Sequence, residues 1–122
     1  MSYDPNNIFA RILRGEIPCD KVYEDDNVLA FNDIHPQAPV HILVIPKQAY
    51  ESYDEFSAKA SDAEIAAVTR AVGVIARTRG LDRTGYRLIT NIGPDSHQEV
   101  PHFHVHVLGG RPLGVLVTGR SD

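Results

Sequence analysis

The 122-residue sequence predicts an α+β domain: an antiparallel sheet of about five strands, one long helix across one face and a short helix near the N-terminus. Three observations lead there. One segment, residues 62–80, sustains a helical apolar period. Several short β-branched runs are separated by turn signals. No repeat, low-complexity tract or linker divides the chain, so residues 1–122 are expected to form a single domain.

The first helix follows from Ile8, Phe9, Ile12 and Leu13 on one stripe, with Asp4 as its expected cap, Pro5 in its first turn and Gly15 as its stop. "KVYEDDNVLAFND" reads as two strands around the turn Asp25-Asp26-Asn27. Alternation in the second strand places Leu29, Phe31 and Asp33 on one face. Pro36 and Pro39 brace the connection "HPQAP", after which "VHILVIPK" is a buried strand with His41 near its start. Ser61 and Glu64 form a capping-box pattern at the head of the long helix, whose apolar stripe is Ile65, Val68, Val72, Ile75 and Ala76, and which Gly80 ends. "GYRLITNIG" is the next strand, "PDSHQEVP" a polar loop and "HFHVHVLGG" the last strand.

Hydrophobic residues make up 43% of the chain and charged residues 23%, proportions of an ordinary globular protein. A net charge of −4 argues against a nucleic-acid partner, which usually meets a basic face. A small phosphate ligand needs only a local field and stays compatible. The single Cys19 cannot form an internal disulfide, which suggests a reducing compartment. The N-terminus lacks the order of a secretion signal, and no apolar run approaches the roughly 20 residues of a membrane span. The expected location is cytoplasmic, with no membrane partner.

"HFHVHV", residues 102–107, carries the chemical signal. In a strand, residues two apart share a face at about 6.5–7 Å, so His102, His104 and His106 are expected on one side and Phe103, Val105 and Val107 in the core. A purely structural strand would use Thr or Val at the histidine positions, because aligned imidazoles with pKa values near 6.5 repel one another once charged. Two functional readings follow. A metal ion could be gripped by two of the rings, but the first and third start about 13 Å apart along a straight strand. Bringing all three to bonds of about 2 Å would strain it, and His41 would be the more natural recruit. Alternatively, a neutral imidazole attacks phosphorus and later releases it, while neighbouring rings donate to phosphate oxygens. A phosphate is wide enough to meet a row of rings, so the spacing favours this second reading. "GGRPLG" (109–114) lacks the Lys-Ser/Thr ending and the helix of a P-loop, and is read as a turn away from the site.

"HQEVPHFHVHVLGGRPLG", together with "NIFARILRGEIPCDKVYEDDNVLAFNDIHPQAPVHILVIPK", resembles the histidine-triad (HIT) superfamily, specifically its Hint-type purine nucleoside phosphoramidase branch, over roughly residues 7–116. The resemblance implies a HIT-like fold and a hydrolase of nucleoside 5′-monophosphate derivatives, acting through a nucleotidyl-histidine intermediate without metal or organic cofactor. His104 would be the nucleophile and His106 would contact phosphate oxygens, while His102 and His41 orient and relay protons. Phe9, Phe31 and Ile34 would form the base pocket, and Asp33 would accept from the ribose hydroxyls. Asn91, Gln98, Glu99 and Val100 would border the phosphate and leaving-group side. The implied partners are a purine nucleotide substrate and a second copy of the chain, with the sheet or the tail "VLVTGRSD" shared in a homodimer. Two departures stand out. Asn7 and Ala10 occupy positions where some members carry zinc-binding cysteines, and His97 and Glu99 stand where Hint members carry Gly and Ser. The competing readings are a dinucleoside polyphosphate hydrolase, a nucleotide-binding regulatory protein and a His-ligated metal hydrolase.

Overall fold

The computed structural model describes residues 3–116. Its centre is a five-stranded sheet of β1 (Lys21–Glu24), β2 (Val28–Asn32), β3 (Val40–Pro46), β4 (Tyr86–Ile89) and β5 (Val105–Gly109), in the order β1-β2-β3-β5-β4. Every neighbouring pair is antiparallel. Helix α1 (Ile8–Leu13) precedes the sheet, while α2 (Tyr53–Lys59), α3 (Asp62–Thr78) and the single turn α4 (Leu81–Thr84) connect β3 to β4. The tail expected to share in a dimer lies mostly at 117–122, outside the described residues. No described helix is long and apolar enough to cross a membrane.

Strand alternation divides the core in two. Val28, Ala30, Ile42, Val44, Phe103 and Val107 pack with Val68, Val72 and Ile75 of α3. On the opposite face, Leu29, Phe31, Leu43 and Ile45 pack with Phe9 of α1. Helix α3 sits where its sequence places it, for the Ser61–Glu64 capping box is fully formed and Gly80 leaves the helix with φ 72°.

Three expectations need correction. The cap of α1 is Asn7, whose side chain accepts from Ala10 N–H at 2.9 Å, while Asp4 shapes the preceding turn by accepting from Asn6 N–H and Asn7 Nδ2. Asn7 and Ala10 thus serve together to start the helix. Helix α2 has no counterpart in the sequence reading, because its stripe buries only Phe56 and its cap, Ser52, makes no side-chain bond.

Finally, β5 begins at Val105 rather than His102. The ladder stops because Pro46, the end of β3, gives its carbonyl to the His102 ring at 2.9 Å, while Phe103 N–H turns to Tyr50 O at 2.8 Å. Side-chain alternation nevertheless persists through the irregular stretch. Beyond β5, Gly110 takes φ 94°, and a Cβ there would meet Pro39 at 2.9 Å, so the turn at "GGRPLG" needs a residue without one.

Candidate active site

A cavity of about 500 Å³ opens on the α1 side of the sheet, a size that suits a nucleotide-sized ligand. His104, His106 and His41 line it with Phe9, Leu43, Asp33 and Val100, and the loop residues Asn91, Ser96, His97 and Glu99 form part of its rim. Register explains the meeting of His41 and His106. Leu43 lies opposite His106 across β3 and β5, so His41 is its diagonal neighbour on the same face. Asp33 follows β2 directly, and its N–H donates to His41 O at 3.0 Å, so its carboxylate reaches the same corner.

Hydrogen bonds fix each ring's tautomer. A carbonyl can only accept, so His102 carries its proton on Nε2, toward Pro46 O, and its Nδ1 accepts from the Tyr3 hydroxyl at 2.6 Å. His104 likewise donates Nδ1–H to His102 O at 2.7 Å, which leaves Nε2 with a lone pair. That nitrogen has no protein partner. Since no buried side-chain polar atom lacks a partner among the described residues, Nε2 must open on the cavity.

At the third ring, Gln37 N–H donates to His41 Nδ1 at 3.0 Å, which forces the His41 proton onto Nε2. From there it is donated to His106 Nδ1 at 2.8 Å, with Asp33 Oδ2 at 3.4 Å. His106 therefore presents Nε2–H to the cavity. The row thus offers a lone pair and an N–H side by side, on rings whose centroids are 5.0 Å apart.

Burial keeps these rings neutral. Desolvation lowers the pKa of His104, against opposing fields from Asp33 and Glu99. The same cause, helped by neighbouring His104 and His41, brings His106 to about 4. His102 also falls to about 4, through desolvation, and His41 is lowered by burial against the pull of Asp33.

Asp33, His41 and His106 offer donor atoms within 4.8 Å of one another, a possible metal set. The tautomers disfavour it. A ligating His41 Nε2 would have to lose its proton to Nδ1, where the Gln37 N–H already points.

The remaining predicted residues are placed as follows. Phe9 stands edge-on to His104 at 5.0 Å and to Phe31 at 5.6 Å, so Phe31 lies beneath it rather than in the cavity wall. Ile34 is 80% exposed, beyond Asp33 where the chain bends. His102 is fully buried behind the row. Gln98 is turned away from the cavity, accepting from Gly93 N–H and donating to Glu51 O and Val100 O. Tyr3 and Gln37 went unpredicted. Tyr3 meets a ring far along the chain, and Gln37 contributes a backbone N–H, which no side-chain pattern announces.

The family profile described as "HIT domain" matches residues 14–113. The chain belongs to the HIT-domain family. It is 62% identical to an uncharacterized HIT-like protein of Azospirillum brasilense over 96% of both chains. Against a purine nucleoside phosphoramidase of Escherichia coli, identity is 48% over 93% of this chain and 95% of the relative. A solved histidine triad protein from Clostridium difficile superposes with a TM-score of 0.82 at 44% identity, covering 95% of this chain and all of that one.

Proposed function

We propose that the cavity hydrolyses nucleoside 5′-monophosphate derivatives, in particular purine nucleoside phosphoramidates such as adenosine 5′-monophosphoramidate. One observation carries this: the 2.7 Å bond from His104 Nδ1–H to the His102 carbonyl, which leaves an unprotonated Nε2 facing the cavity on a ring that burial holds neutral. A nitrogen so prepared is a nucleophile near neutral pH. The similarity to the Escherichia coli phosphoramidase supports the substrate class.

In this reading His104 Nε2 bonds to the α-phosphorus as the P–N bond breaks. The electron pair departs on the amine, which takes a proton from water at the open end. His106 Nε2–H donates to a non-bridging oxygen as negative charge shifts there. Water then adds to phosphorus, the P–Nε2 bond breaks, and the water proton leaves to solvent. Net, phosphoramidate and water give nucleotide and amine.

His102 positions His104 through its carbonyl, and His41 holds the His106 tautomer. The base lies on Phe9, backed by Phe31, with Ile34 free to cover its outer edge, and Asp33 accepts from the ribose. Asn91 and Val100 flank the phosphate, while Gln98 holds their loop. No organic cofactor or metal enters these steps.

The active form is a homodimer in this proposal. Edge strand β4 presents exposed Tyr86 and Leu88, a surface another copy could cover. A cytoplasmic setting suits the unpaired Cys19.

The test is His104→Gly, with mass spectrometry of wild type quenched during turnover of a slow phosphoramidate. The expected results are a nucleotide-sized adduct on His104 and a loss of at least about a thousandfold in kcat/KM in the variant. Unchanged turnover would remove His104 from the role.

A further inference from the structure

The loop before the histidine row is pinned from within. Gln98 Oε1 accepts from Gly93 N–H at 3.0 Å, and its Nε2 donates to Glu51 O at 2.8 Å and Val100 O at 3.1 Å. With Gln98 turned inward, its neighbours project the other way, and both His97 and Glu99 line the cavity. They meet there, His97 Nε2 lying 3.2 Å from Glu99 Oε1. His97 closes the 3-10 turn Pro94–Ser96 with φ 57° and ψ 48°, the one left-handed conformation among the described non-glycine residues. A side chain with a Cβ takes up that conformation at a cost, and such strain gathers at functional sites.

Charge gives the pair its meaning. Among the described residues lining the cavity there is no lysine or arginine, and the two carboxylates are Asp33 and Glu99. Asp33 is engaged at the inner corner, 3.4 Å from His41 Nε2. Glu99 stands at the open side with its side chain 76% exposed, so one carboxylate oxygen remains available beside the one that faces His97. In-line displacement sends the leaving group away from His104 Nε2, and a path that runs outward passes Glu99 at the rim. An anionic leaving group would meet a like charge there, and a cationic one an opposite charge.

We infer that Glu99, beside His97 at the exposed rim of the cavity, forms a leaving-group subsite selective for amines that carry a second, positively charged arm. The inference rests on the phosphoramidase reading above and names the class of phosphoramidate the site prefers. Because Glu99 is well exposed, the preference is modest and depends on salt.

Two adenosine 5′-phosphoramidates, N-(3-aminopropyl) and its uncharged counterpart N-butyl, read the subsite as a ratio of kcat/KM. Wild type is expected to favour the aminopropyl compound about threefold to fivefold at low salt, with the ratio shrinking at high salt. Glu99→Gln should bring the ratio close to one, and His97→Gly, which relaxes the backbone and removes the neighbouring imidazole, should change it less. An equal ratio in wild type and Glu99→Gln would overturn the subsite, as would faster turnover of a diadenosine polyphosphate than of either amine. If neither phosphoramidate is cleaved and no adduct forms on His104, the phosphoramidase reading fails and takes the subsite with it. Cleavage of both at a ratio of one defeats the subsite alone.

Discussion

The two faces of the sheet use one alternation for opposite ends. Under α3, Val105 and Val107 continue a packed apolar layer with Ile42, Val44 and Ile75. Under α1, the intervening His104 and His106 sit among Phe9, Leu43 and His41 around a cavity. Both faces are well buried, so burial does not separate them. What separates them is the fate of polar atoms. The fully buried side chains under α3 have none to satisfy, whereas on the α1 face each ring gives at least one nitrogen to the protein, and His104 and His106 leave the other facing the cavity. Bonds made on one side of an imidazole decide what its other side can do.

Four measurements break or sharpen this contrast. The largest effect belongs to His104→Gly, where a loss of at least about a thousandfold in kcat/KM per folded molecule would assign the cavity face to chemistry. On the opposite face Ile75→Ala should reverse the pattern. About 2–5 kcal/mol of stability is lost, read by urea denaturation, while kcat/KM per folded molecule is kept. A matching loss of activity would show that the two faces are coupled.

The third measurement uses pH. The folded pKa of His102, about 4, lies below the ordinary value near 6.5. Its contribution is therefore complete above about pH 6.5 and is lost as pH falls toward 4, by up to about 3 kcal/mol. Denaturant midpoints at pH 7 and pH 4.5 should separate wild type from His102→Gln by a pH-dependent difference. A constant difference would deny His102 its neutral, bonded state.

The smallest effect is Tyr3→Phe, which leaves His102 Nδ1 without its donor. A cost of about 1 kcal/mol is expected, with a several-fold fall in kcat, little change in KM and a moved His102 ¹⁵Nδ1 resonance. An unmoved resonance would place Tyr3 outside the network.

Much of this contrast could be read in one dimension. Alternation in 102–107 sorted side chains to the correct faces even where the ladder is absent, because sidedness follows the extended backbone rather than its hydrogen bonds. The end of the strand was not legible, since it depends on Pro46 and Tyr50 drawing residues 102 and 103 away from ladder pairing. Helix α3 was legible through its period and caps. Helix α2 was not, because a single buried Phe56 makes no period. Gln98 is expected from the resemblance to border the phosphate and leaving-group side; that its side chain also braces its loop depends on carbonyls at Glu51 and Val100, which only folding brings near.

The amino-acid order by itself determined the α+β class, the long capped helix and the face on which the histidines stand. All of these follow from local spacing and residue type. Tertiary structure alone decided which nitrogen of each ring is free, because the partners that set the tautomers are Tyr3, Gln37, Pro46 and the carbonyl of His102. A proton's position on an imidazole is set by whichever donor or acceptor lies about 3 Å away, and folding brings those atoms together from distant parts of the chain.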